Sequence, residues 1–371
     1  MSDEQTPESA FTHGVAEVGA ATLTALRALE VAFRRMGPMG FEALRAGMAP
    51  VRERLEASLA EWHEQPLPDG LEDLGRRLRE GAEAARAGLE RAAAPKPEEI
   101  LRAMRDHARA QRAMYPLRTV FPPLGRFFAE EHRWADLAAL DPEPREGIRI
   151  GLHHAGGRDR DQRGGFVFYV PEHWDGVARW PLVVALHGGA GHGMDFLWTW
   201  LREARSRGFF LLAPTSRGAT WSLMGPDLDA VPLSQMIDFV AARWPVDRER
   251  VLLTGLSDGA TFTLLAGLAE GAPYTALAPV SGVFHPLNAV NGNLERAAGR
   301  RIRLVHGALD WMFPIDSARE ARDTLVAAGA DLVFREIDDL SHAYPREENA
   351  AILRWFDPAL VPAGSPDAEA G

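Results

Sequence analysis

Gly255-Leu256-Ser257-Asp258-Gly259 decides the reading of this chain. The apolar run Val251–Leu253 precedes it, and an apolar stretch of helical length, Ala260–Leu268, follows. G-x-S-x-G between a strand and a helix has the form of a nucleophile elbow. Its glycines permit a sharp strand-to-helix turn with close backbone approach, which pushes the Ser257 hydroxyl out at the top of a sheet. A bare pentapeptide is weak, because a serine in such a turn can simply cap the next helix. The strand before and the helix after are what favour a nucleophile.

Short apolar runs recur on both sides of this element. They are Ile148–Leu152, Phe166–Val170, Leu182–Leu186, Phe209–Ala213, Val251–Leu253, Ala276–Val280, Ile302–Val305 and Leu332–Glu336. Runs that are apolar throughout, such as Leu182–Leu186, suit strands covered on both faces. From the third run onward, segments of helical length separate most of them. The first two are joined by a Gly/Asp/Arg-rich turn at Gly156–Gly165, as in a hairpin. The expected fold is α/β, with a doubly wound, mostly parallel sheet over residues 141–358. Ligands of such sheets bind beyond the carboxyl ends of the strands.

Three further segments fall there. Leu186-His187-Gly188-Gly189-Ala190-Gly191 ends the third run. Acyl transfer builds an oxyanion that fixed N–H donors must meet. One expected donor is the Asp258 amide, directly after the nucleophile. The other is the Gly189 amide, with Ala190 as second choice. A serine also needs a base, and the base an orienting acid. Asp310, in His306-Gly307-Ala308-Leu309-Asp310, follows the seventh run and is the expected acid. Asp316 reads as a helix cap, and Asp338 and Asp339 as solvated turn acids. His342 is the only histidine after Asp310 and is the natural base. The order Ser257, Asp310, His342 is that of the elbow-bearing fold.

On these motifs (LHGGAG, GLSDG, HGALDWMFP and SHAYP), residues of about 147–357 resemble an α/β-hydrolase. They are most similar to the serine carboxylesterase/phospholipase-like, feruloyl-esterase-like and polyhydroxyalkanoate-depolymerase-like branch. The resemblance implies a serine ester hydrolase acting on a small-molecule ester through an acyl-enzyme, with no cofactor. Ser341 stands where that pattern often has glycine, and Ala190 interrupts its glycine run. A serine peptidase or amidase uses the same machinery, and a non-catalytic binding protein on this fold is a third reading.

His192, Trp221 and Trp311 lie where they could line a substrate pocket, although rim packing accounts for the aromatics equally well. His153 and His154 sit near Asp159 and Asp161, but no ligand set has the spacing of a known metal loop, so no metal site is expected.

The 371 residues carry 52 acids against 41 bases, a net charge of −11, which argues against a nucleic-acid partner. With no cysteine, disulfides, cysteine–zinc sites and a cysteine nucleophile are excluded. The acidic start, Met1–Ala10, lacks the pattern of a secretory signal, and no run has the length of a membrane span. A cytoplasmic protein is expected. Residues 1–140 read as a helical region, a cap or a homo-oligomerisation surface. Val15, Val18, Leu23, Leu26, Leu29 and Phe33 form one stripe, and Leu71, Leu74, Leu78, Ala85 and Leu89 a second. A third helix starts at Pro97 and runs through Leu101, Met104 and Ala108, and Pro50 is read as an interruption between the first two. The tail, 359–371, has a disordered composition.

Overall fold

A computed structural model of the protein describes residues 7–37, 41–63, 67, 69–94, 96–156 and 161–361. Asp159 and nearly all of the tail lie outside them. The chain passes between two compact units at Leu137 and Ala138.

Among the described residues, the first unit holds four long helices: α1 (Pro7–Arg35), α2 (Phe41–His63), α3 (Glu72–Ala92) and α4 (Pro97–Met114). Val18, Leu23, Leu26 and Leu29 are buried along α1, and Leu78, Ala85 and Leu89 along α3, as the stripes require. One expectation needs correcting. Pro50 lies inside α2 rather than between helices. Proline removes one backbone bond, and the buried Leu55, Leu59 and Trp62 hold the helix across that loss. α4 starts at Pro97 and runs through Leu101, Met104 and Ala108 as expected; Ala103, His107, Ala108, Ala110, Gln111, Ala113 and Met114 are buried along it and Leu101 is exposed. Its small residues pack against α3 so closely that a Cβ at Gly81 would strike Met114. No described helix is long and apolar enough to cross a membrane.

Among the described residues, the second unit is built on eight strands: β1 (Gly151–Ala155), β2 (Phe166–Val170), β3 (Trp180–Leu186), β4 (Phe210–Pro214), β5 (Val246–Leu256), β6 (Ala276–Val280), β7 (Arg301–Gly307) and β8 (Asp331–Ile337). Their order in the sheet is β1-β2-β4-β3-β5-β6-β7-β8. β2 is antiparallel to β1 and β4, and the remaining pairings are parallel. The first strand begins three residues later than the sequence suggests. Ile148 and Ile150 pack against the core without joining the ladder, and the register instead pairs His153 with Phe168.

β3 is buried from Pro181 onward, and Val184 pairs with Leu212 on one side and Leu253 on the other. With Phe168, Phe210, Phe262 and Leu277, these side chains make one continuous core. The order of strands reverses around β3, whose neighbours are β4 and β5. Connections after β3 and β5 therefore leave on diverging paths and open a crevice at their carboxyl ends.

Candidate active site

Ser257 follows β5 and heads the helix Asp258–Gly267. Its backbone is at φ 57°, ψ −120°, a region costly for any residue with a Cβ. Surrounding bonds hold it there: its N–H donates to the Val280 carbonyl at 3.0 Å, and its carbonyl accepts from Thr261 at 2.9 Å. Gly255 and Gly259 are required by close approach. A Cβ at Gly255 would lie 2.5 Å from the Gly259 carbonyl oxygen, and one at Gly259 would lie 2.5 Å from that of His187. The serine is 9% exposed.

The loops after β7 and β8 bring Asp310 and His342 to this serine. The Ser257 hydroxyl donates to His342 Nε2 at 3.0 Å. His342 Nδ1 donates to Asp310 Oδ2 at 2.8 Å. Asp310 Oδ1 accepts the amides of Met312 (3.0 Å) and Phe313 (2.8 Å), so the carboxylate is fixed from both ends. With Nδ1–H committed to Asp310, His342 presents a lone pair to the serine, the tautomer a general base needs. Asp316 is not the cap of the next helix, Ile315–Ala327, because Pro314 takes that position; Asp316 sits in its first turn and pairs with Arg319. Asp338 and Asp339 are exposed.

The sequence reading passed over His306, which enters the same cluster. It is buried at the end of β7, its Nε2–H donates to the Phe313 carbonyl at 2.8 Å, and the same nitrogen lies 3.4 Å from Asp310 Oδ2. Burial lowers its pKa and keeps it neutral. The available signal was a histidine four residues before the acid, at the point where strand becomes turn.

The loop after β3 forms a turn closed by the Gly191 amide on the Gly188 carbonyl at 3.0 Å. It lies against Ser257: a Cβ at Gly188 would be 3.5 Å from Ser257 Cβ, and one at Gly189 would be 2.7 Å from Asp258 Oδ2. Among the described residues, the Gly189 and Asp258 amides donate to no acceptor. Ala190 has a positive φ, 54°, and its amide donates to the Ala219 carbonyl at 3.0 Å, so it is not a free donor. His187 ties the loop down. Its Nδ1–H donates to the Gly188 carbonyl at 2.7 Å, and its Nε2 accepts from the Ser216 amide at 3.1 Å. Those two bonds require the neutral ring, and burial pushes its pKa down to about 3.

The three other candidates take different positions. Trp221 is 3% exposed, stacks on Phe262 at 5.5 Å and donates to the His187 carbonyl at 2.7 Å. It supports the loop from below rather than lining a pocket. His192 is buried, and its Nδ1 accepts the Met194 amide at 3.1 Å, capping the helix Gly193–Phe196. Trp311 is 51% exposed beside Asp310, flanked by the exposed Leu309 and Met312. His153 packs its ring against Trp244 at 4.9 Å.

The sheet order and the elbow that follows β5 define the class of protein: this is an α/β-hydrolase fold. Within it, residues 230–357 match the phospholipase/carboxylesterase family, a span that includes Ser257, Asp310 and His342. No curated protein matches the sequence. Among solved structures, a thermostable esterase is similar at 21% identity and a TM-score of 0.47, over 55% of this chain and 62% of its own. An acetyl xylan esterase from Aspergillus awamori is similar at 16% identity and a TM-score of 0.42, over 55% of this chain and 98% of its own. An acylaminoacyl peptidase from Pyrococcus horikoshii is similar at 16% identity and 0.47, over 60% of this chain and 44% of its own. This chain thus spans less than two thirds of the thermostable esterase.

Proposed function

We propose that this protein is a serine hydrolase that cleaves small carboxylic esters through an acyl-enzyme. The observation that carries the proposal is the continuous path Ser257 Oγ–His342 Nε2 (3.0 Å) and His342 Nδ1–Asp310 Oδ2 (2.8 Å), beside two uncommitted amides at Gly189 and Asp258. Ser257 Oγ attacks the ester carbonyl carbon while His342 Nε2 takes the hydroxyl proton. The carbonyl oxygen becomes an oxyanion held by the Gly189 and Asp258 N–H groups, each worth about a hundred- to a thousandfold in rate. The tetrahedral species collapses, and His342 returns the proton to the departing alcohol. Water, deprotonated by His342, then attacks the acyl-enzyme and releases the acid. Asp310 keeps the imidazole in the reactive tautomer and stabilises its charged form. A cytoplasmic location belongs to the same proposal, as does an N-terminal helical region that acts either as a cap or as a homo-oligomerisation surface, the latter readable by light scattering of the full chain.

The test is hydrolysis of p-nitrophenyl acetate, butyrate, octanoate and palmitate by the wild type and Ser257→Ala, with a peptide anilide alongside. Ester hydrolysis lost in the variant is the expected result. Activity that survives in Ser257→Ala overturns the nucleophile assignment, and anilide cleavage faster than ester cleavage overturns the ester preference.

A further inference from the structure

The turn that joins β1 to β2 reaches the active site through one side chain, Arg163. Its Nη1 donates to the Gly191 carbonyl at 2.7 Å and its Nε to the Gly218 carbonyl at 2.9 Å. Its Nη2 donates to Ser216 Oγ and, at 3.5 Å, to the Ala219 carbonyl. The backbone around it is anchored as well. The Gly164 amide donates to the Ser216 carbonyl at 3.1 Å, and the Thr215 amide donates to the Gly165 carbonyl at 3.0 Å. A guanidinium carries five donors in a rigid plane, so a single side chain can span two separate loops in a way that an ammonium cannot.

Those two loops are the ones that matter for the oxyanion. Gly188–Gly191 carries the uncommitted Gly189 amide. Residues 216–220 hold both donors in place. The Ala219 carbonyl accepts the Ala190 amide, one residue from Gly189, and the Thr220 hydroxyl donates to Asp258 Oδ2 at 2.6 Å. Ala190 sits at φ 54°, where a residue with a Cβ does not rest without support. Arg163 binds the carbonyl of the next residue, Gly191, and the carbonyl that receives the Ala190 amide.

We propose that Arg163 is a positioning residue that sets the oxyanion site by clamping the loop after β3 to the loop after β4. This rests on the serine-hydrolase reading above. Arg163 acts on the site through Gly191 and Ala219. Removing the fork lets the turn at Ala190 relax and moves the Gly189 amide away from the position an oxyanion occupies.

The experiment compares wild type, Arg163→Met and Arg163→Lys in kcat, KM, the pH profile of kcat/KM, and inhibition by an alkyl trifluoromethyl ketone. Ser257 Oγ adds to the ketone carbon, its proton passes to His342, and the resulting oxyanion reads the site directly. Arg163→Met is expected to lose kcat and ketone affinity together, each by about ten- to a hundredfold, with KM and the pH profile unchanged. Arg163→Lys keeps the charge without the fork and is expected to recover only a minor part of either loss. It also serves alone if the methionine variant does not fold. Full ketone affinity in either folded variant overturns the proposal, as does full recovery by lysine, which would reduce the role to charge. A wild type that neither hydrolyses esters nor binds the ketone instead overturns the serine-hydrolase reading itself.

Discussion

Asp310 Oδ2 faces two histidines, His342 Nδ1 at 2.8 Å and His306 Nε2 at 3.4 Å. The shorter contact carries the orienting bond, and the longer one is shared with the Phe313 carbonyl. The carboxylate therefore keeps three good N–H donors without His306. His306→Gln is expected to lower kcat by about tenfold or less, whereas Asp310→Asn, which reverses the hydrogen-bond polarity at His342, is expected to lower it by about ten-thousandfold. Steady-state kinetics of the two variants check this. Equal losses would make His306 a full partner in orientation.

Gly189→Ala tests the close approach of the loop. Its new Cβ would sit 2.7 Å from Asp258 Oδ2. Either the carboxylate gives up its bond from the Thr220 hydroxyl or the loop retreats and carries the Gly189 amide with it. A fall in kcat of about a hundredfold with little change in folding stability is expected. An unchanged kcat would show that the Asp258 carboxylate swings aside without moving either amide.

The two tryptophans near the site should separate by what they disturb. Trp221 is buried against Phe262 and bonded to the loop, so Trp221→Ala is expected to cost about 3–5 kcal/mol of stability. Trp311 is half exposed, so Trp311→Ala should leave stability within about 0.5 kcal/mol and raise KM for the octanoate ester more than for the acetate. Denaturant unfolding and a chain-length series measure both. A Trp311 variant with the same KM for all esters removes it from the substrate path.

His187 makes the fold sensitive to acid. Its pKa is lowered to about 3 by burial, against about 6.5 in an unfolded chain. Between those values the unfolded chain binds the proton and the folded protein does not. Stability therefore falls as pH drops from about 6.5 towards about 3, by about 1.4 kcal/mol per pH unit for each such group. Burial shifts His306 and His153 in the same direction, and they add to the slope. Urea unfolding across this range should show a shallower slope for His187→Gln than for the wild type. Identical slopes would clear His187 of the effect.

The elbow, the sheet class and the loops that carry Asp310 and His342 were legible because they are local. A strand apolar on both faces, a glycine on either side of a serine and the loop after a strand can each be recognised within a few residues. The same local logic misled at Pro50, where tertiary packing held a helix that the residue alone would have broken. At Trp221 it left pocket lining and packing both open, and the structure turns the ring inward beneath the loop through its bond to the His187 carbonyl.

The sequence by itself determined the order of chemical groups along the chain and the strand ends on which they stand. Only the tertiary structure decided which backbone donors remain open. The Ala190 amide is consumed by Ala219, twenty-nine residues away, and Arg163 joins Gly191 and Ser216, twenty-eight and fifty-three residues beyond it. Such contacts follow from β3 lying between β4 and β5, a register set by packing of the whole core. No short-range pattern of residues encodes them, because the partners become neighbours only once the sheet has closed.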